Sequence, residues 1–219
     1  MAAVSIDPSL KAKCPLVALG CLTADVEATE TSGGLEKELQ ACERKIQSLP
    51  EPRAILESAA ILATRSGYKA LGKDPARYRG SAEALIRRVI AGKGFPRIHA
   101  VVDIINITSV ESCLPIGLYD LAHVHGNITF RAGRPGETYK GIGKYDLNLE
   151  GLPLFADEIG PHGSATSDSE RTMVTPSTKR VLAIFVSFGG SAGLESSMGR
   201  MKLLLAQHAS GTNFQSTIV

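Results

Sequence analysis

The chain has no stretch of about 18 consecutive apolar residues, so no membrane-spanning helix is expected. Its first residues, Met-Ala-Ala-Val-Ser-Ile-Asp-Pro, lack a basic segment followed by an apolar one, and no secretory leader is read there. Cysteine is sparse: Cys14, Cys21, Cys42 and Cys113 are scattered and form no C-x-x-C pair. That pattern fits reduced thiols in a cytoplasmic protein and argues against a metal cage. There is no G-x-x-x-x-G-K-[ST] phosphate loop, and the G-x-G at Gly141 to Gly143 lacks the rest of a dinucleotide fingerprint. No internal repeat and no low-complexity tract is found.

What is present reads as a globular protein. The 219 residues suit one domain over 1–219, with a core at about 15–209 and loose termini, and 43% hydrophobic with 21% charged residues is ordinary. The net charge of +2 hides an uneven distribution. Nine basic residues fall between Arg65 and Arg97, opposed only by Asp74 and Glu83; that stretch carries +7 and the rest of the chain −5. A basic face on an otherwise acidic protein points to a polyanion, the alternative being a solvated surface that happens to be basic.

Apolar spacing places the elements. Pro15 to Leu22 reads as a short buried strand. Leu35, Leu39, Cys42, Ile46 and Leu49 recur at steps of four and three, as on an amphipathic helix. Pro52 suits the first turn of the next helix, which should end near Gly67. Ser81 can cap a helix through Ala91, closed by Gly92, with Arg87 and Arg88 outward. Val102 to Cys113 fits either helix or strand. Short strands are expected at Gly126–Arg131, Thr138–Lys144 and Leu152–Ile159, then a polar loop at Gly160–Glu170. Arg180 to Phe188 is a buried strand and Ser191 to Ala209 a helix, with a loose tail after it. Helices first, strands second and one closing helix make an α+β fold.

Four signals invite chemistry. Val102 to Asp120 threads Asp103, Asn106, Thr108, Ser109, Glu111 and Asp120 through apolar chain, so it is a polar staple or the wall of a site. Gly189 to Gly193 matches G-x-S-x-G, but only His208 and no aspartate follows, so Ser191 is better read as a helix cap. His123 and His125 lack an obvious third ligand, and no metal is assigned. Ser167 to Thr172 is the densest polar cluster, either an anion anchor built on Arg171 or a capped surface turn.

The run V-D-I-I-N-I-T-S-V-E-S-C-L-P-I-G-L-Y-D-L, Val102 to Leu121, resembles the V-D-x-x-N … x-P-x-x-x-[FY]-D-L signature of the B3/B4 editing domain in the bacterial phenylalanyl-tRNA synthetase beta subunit. Tyr68 to Val89 and the D-S-E-R-T of Asp168 to Thr172 resemble free-standing relatives of that domain. The resemblance covers roughly Pro15 to Ala209 and implies layered β-sheets with helices packed alongside. It also implies a stand-alone protein that hydrolyses the ester of mischarged aminoacyl-tRNA in trans. Asn106, Ser169 and Thr172 would orient the water or the ester carbonyl. Ser109, Gly117, Tyr119, Asp168 and Arg171 would bind the substrate, with Asp168 on its ammonium. Arg77, Arg79, Arg87, Arg88 and Lys93 would take tRNA phosphates near the aminoacylated 3′ end. The resemblance implies no cofactor and no metal. Two departures stand out: Gly117 occupies the position of a family histidine, and the tryptophan and arginine ahead of D-S-x-R-T are replaced by Gly163 to Ser167, in a chain without tryptophan. Two other readings remain: a tRNA-binding module without chemistry, and a binder or hydrolase of small amino-acid compounds.

Overall fold

The strand Arg180–Ser187 is apolar at nearly every position because both of its faces are covered. Val181, Ala183 and Phe185 point into one core, Leu182, Ile184 and Val186 into another. The computed structural model describes residues 3–143 and 145–219. In chain order its main elements are β1 (Val4–Ile6), α1 (Pro8–Lys13), β2 (Ala18–Asp25), α2 (Gly33–Gln47), α3 (Ala59–Ala70), α4 (Ser81–Ile90), α5 (Ala100–Ser112), β3 (Ile116–Asp120), β4 (Ile128–Ala132), β5 (Thr138–Lys140), β6 (Asp146–Asn148), β7 (Pro153–Ala156), β8 (Pro161–Ser164), β9 (Arg180–Ser187), α6 (Leu194–His208) and β10 (Thr212–Ile218). The sheet β10-β2-β9-β3 forms the middle layer. Helices α2, α4, α5 and α6 contribute to the core on one side; the sheet β1-β4-β7-β8 faces the core on the other. This is the α+β, layered arrangement that element order and resemblance both indicated.

Val102 to Ser112 resolves as helix, continuous from Ala100. Nine of its thirteen residues are buried, so burial on several sides erases the one-faced pattern that would have separated helix from strand. Both termini differ from the loose ends expected. Asp7 caps α1 by accepting the N–H of Ser9 and Leu10, and β1 pairs parallel to β4. The tail is β10, antiparallel to β2. The expected polar loop at 160–170 contains β8, whose short Pro-His-Gly-Ser run shows no alternation. The caps move by one or two residues: Gly80 and Gly193, not Ser81 and Ser191, precede α4 and α6. Gly193 holds φ at +82°, a conformation a serine would resist. The helix expected from Pro52 is split into a 3-10 turn, Pro52–Glu57, and α3. The strand at 138–144 stops at Lys140, and Lys144 lies outside the described residues.

Candidate functional site

The site builds from the meeting of two sheet edges, β3 and β8. Alternation along β3 sends Ile116 and Leu118 into the helix-side core and turns Gly117 and Tyr119 toward β8. Tyr119 is fully buried. Its ring stands edge-on to His162, centroids 4.6 Å apart at 87°, and 5.8 Å from Phe155. The phenol lies directly over the Cα atoms of Gly117 and Gly163.

Asp168 receives that phenol. Tyr119 Oη donates to Asp168 Oδ1 at 3.2 Å, the Ser164 N–H to the same oxygen at 3.3 Å, and the Leu118 N–H to Oδ2 at 3.4 Å. Burial pushes the Asp168 carboxyl up to about 7, with the three donors pulling the other way. Burial, then the facing carboxyl, holds the Tyr119 phenol well above its ordinary value. The loop is fixed from two further sides: Tyr68 and Thr166 hydroxyls lie 2.7 Å apart, and Tyr139 donates to the Ser167 carbonyl.

His162 is fully buried, and neither ring nitrogen has a partner among the described residues. The buried hydroxyl of Ser169 is unpaired as well. Burial brings His162 down to about 4, so its ring is neutral near pH 7. The main chain of His162 accepts from the Ser169 N–H at 3.1 Å and from Thr172 Oγ1 at 3.2 Å. The structure thus gathers Gly117, Tyr119, Asp168, Ser169 and Thr172 around His162.

It does not gather the rest. The guanidinium of Arg171 forks onto Asp157, 2.9 Å to each oxygen, and donates to the carbonyls of His123 and Gly160. Burial alone would raise the Asp157 carboxyl, but that fork and the His125 and Gly160 N–H groups hold it well below the usual carboxylate range. Arg171 is therefore a staple between loops. Ser109 donates to the Leu114 carbonyl at 2.7 Å and secures the turn from α5 into β3. Asn106 belongs to α5, which packs against α2, α4 and α6; among the described residues it makes no hydrogen bond to the 168–172 segment, and its buried Nδ2 has no partner.

The basic stretch is less bare than its sequence. Arg65 forks onto Glu83 at 3.0 Å and reaches Glu57; Arg87 joins Glu83 at 2.8 Å; Arg97 pairs with Glu36 and Glu43. Packing brings Glu36 and Glu43 from a distant part of the chain, while Glu83 lies within the basic stretch itself. Arg77 and Lys73 lie over the Tyr78 ring, and Arg88 donates to the Gly94 carbonyl. Among the described residues Arg77, Arg79, Arg88 and Lys93 have no carboxylate partner, and all four are exposed.

A family model described as the B3/4 domain matches residues 63–198, well over half the chain and every site residue named above. The chain belongs to the B3/4 domain family. It is similar to the phenylalanine–tRNA ligase beta subunit of Paramagnetospirillum magneticum, 34% identical over 87 residues, which is 39% of this chain and 11% of that protein. The same subunit from Brucella abortus is 37% identical over 73 residues, 33% of this chain and 9% of the relative. The matched stretch thus spans about a tenth of the length of these relatives. Among solved structures, an N-terminal fragment of the phenylalanyl-tRNA synthetase beta subunit from Pyrococcus horikoshii shares the fold, with a TM-score of 0.50 over 99% of this chain and 54% of that one, at 15% identity.

In this B3/4 domain the sequence reading missed His162, Tyr139 and Tyr68. His162 lay in a run taken for loop. The tyrosines meet the site only through packing across 28 and 98 residues of chain.

Proposed function

We propose that this B3/4 domain hydrolyses the ester of mischarged aminoacyl-tRNA, acting in trans. The observation that carries the reading is the Asp168 carboxyl, brought close to neutrality by burial beside the unpaired polar atoms of His162 and Ser169. A perturbed acid grouped with unpaired buried donors and acceptors is the pattern of a functional-site candidate. Ionised, Asp168 holds the substrate's ammonium. The free hydroxyl of Ser169, with Thr172, orients the water that attacks the carbonyl carbon. The carbon–oxygen bond to the tRNA then breaks, and the leaving 3′ oxygen takes the proton that the attacking water gives up, leaving a free amino acid and an intact 3′ hydroxyl. Asn106, whose buried Nδ2 has no partner among the described residues, is the remaining candidate for positioning. Arg77, Arg79, Arg88 and Lys93 take phosphates, with Arg87 shared between RNA and Glu83. The relatives' names, which specify a tRNA ligase, support the RNA partner.

The test is incubation with a panel of mischarged tRNAs. Wild-type protein should release amino acid faster than buffer from at least one, and Asp168→Asn should lower that rate more than tenfold. A panel cleared no faster than by buffer sinks the reading. Gly117 at the position of the family histidine, with Tyr119 over it, favours one second reading, a tRNA-binding module without chemistry. It predicts intact esters together with RNA affinity that falls steeply with salt. Glutamates at Arg77, Arg79, Arg87 and Arg88 should abolish binding in both readings.

A further inference from the structure

Of the chain's five tyrosines, one stands in water. Tyr68, Tyr119 and Tyr139 are buried and Tyr78 is half-buried, whereas Tyr145 is 94% exposed. It lies at the tip of the β5–β6 hairpin, next to the last pair, Lys140 with Asp146, and Ile142 at the same tip is 41% exposed. Turn residues are ordinarily small or polar. A lone surface hydrophobe is commonplace. What sets Tyr145 apart is where the hairpin holds it.

The hairpin is bonded along its base to the candidate site. Tyr139 donates to the Ser167 carbonyl, the Ile142 N–H donates to the Asp168 carbonyl at 3.1 Å, and Gly141 forms a bridge with Ser169. Lys140 pairs with Glu170 at 2.9 Å. Just before these residues the same loop is tied to the basic stretch. The Ser81 N–H donates to the Ala165 carbonyl at 2.9 Å, and the Tyr68 hydroxyl meets that of Thr166. The segment 165–170 thus links the basic loop that carries Arg77 and Arg79 to the hairpin that carries Tyr145, with Asp168 between the two attachments.

We propose that Tyr145 is a stacking platform for the terminal base of a single-stranded RNA end whose phosphates lie on Arg77 and Arg79. This rests on the deacylase reading and adds how that site holds its RNA. The ester joins the amino acid to the ribose of the last nucleotide, so the last base lies beside the ester. A group that holds this base must therefore stand at the rim of the site, where the hairpin tip is. Every base has a π-face, so an exposed phenol can take one without reading sequence. An unpaired end offers that face and a paired one does not. The arginines bind through charge and weaken with salt, whereas the ring binds through contact.

Two measurements test it. The first needs no hydrolysis. A short RNA of cytidines ending in 2-aminopurine is titrated with protein, because stacking quenches the fluorescence of that base. Wild type and Tyr145→Phe should quench it, while Tyr145→Ala should bind about tenfold more weakly and leave the base bright at saturation. Moving the 2-aminopurine to the 5′ end should remove the quench. Equal quenching by wild type and Tyr145→Ala overturns the proposal, and so does wild-type protein that leaves the 3′ base bright. In the second, a mischarged tRNA that wild type deacylates is given to the variants. Tyr145→Ala should raise KM about tenfold with kcat little changed, and Tyr145→Phe should restore it. An unchanged KM overturns the platform. If no ester is cleaved but the 3′ base is quenched by wild type and not by Tyr145→Ala, the platform stands and the deacylase reading falls. If esters are cleaved and Tyr145→Ala matches wild type in both measurements, the deacylase reading stands and the platform falls.

Discussion

Helix α5 and the seam between β3 and β8 are joined by a few residues of chain, yet they treat buried polar groups in opposite ways. In α5, Asp103 accepts from Thr31 Oγ1 and the Ile98 N–H, Thr108 donates to the Ile104 carbonyl, and Ser109 to Leu114. Only Asn106 within the helix keeps an unpaired buried atom. At the seam, two nitrogens of His162 and the hydroxyl of Ser169 are left over beside a carboxyl raised to about 7. An unpaired buried group costs about 1–3 kcal/mol. Paired groups are accounted for by the stability of the fold. A cluster of unpaired ones needs another reason to be there.

Substitutions can sharpen or break that contrast. The largest effect should come from Arg171→Ala, which leaves the fully buried Asp157 side chain without its fork. Breaking such a pair costs about 3–5 kcal/mol, and urea unfolding should show a loss near the lower end because Arg171 is partly exposed. A loss under about 1 kcal/mol would mean that Arg171 is not a staple. Asp103→Ala should cost about 1–3 kcal/mol by stranding the Ile98 N–H and the Thr31 hydroxyl.

Asp168→Asn tests the seam through pH. The carboxyl binds its proton more tightly folded, near 7, than at its ordinary 3.8. Its contribution to stability is therefore full at acid pH and is lost as pH rises toward 7. His162, depressed to about 4 from 6.5, acts in the opposite sense and is common to both proteins. The melting temperature of wild type relative to Asp168→Asn should fall steadily between pH 4 and pH 7; a flat difference would place the carboxyl in ordinary solvent. The smallest effect belongs to Asn106→Ala, within about 0.5 kcal/mol in stability, because its buried Nδ2 has no partner among the described residues. A larger loss would move Asn106 to the structural side.

Much of this architecture was legible in the sequence where periodicity was strong. The strand at 180–188, the helices at 35–49 and 81–91 and the α+β order were all readable, because one or two buried faces imprint a regular pattern. The polar staples were legible as a stretch but not as partners: nothing near Asp103 names Thr31, and nothing near Arg171 names Asp157. The candidate site was half legible. Gly117, Tyr119 and Asp168 stood out through motif resemblance. That Gly117 leaves room for the Tyr119 phenol, and that the phenol meets Asp168, follows only from the packing of β3 against β8. Arg97 counted toward the basic face because Glu36 and Glu43 lie 61 and 54 residues away in sequence.

The order of strands in the middle sheet also constrains how the chain can be made. Among the described residues strand β2 pairs only with β9 and β10, so Ala18 to Asp25 finds no strand partner until residues from Arg180 onward have been synthesised. At ~5–20 residues per second, that delay is on the order of ten seconds or more. For that time a sticky, uncharged segment, Ala-Leu-Gly-Cys-Leu-Thr-Ala, is held open on the ribosome. Helices α2 to α5 can form early but have no sheet to settle on. The layer that builds the β3–β8 seam is thus completed last, and synthesis halted before β9 leaves a nascent chain exposed to aggregation rather than a partly working domain.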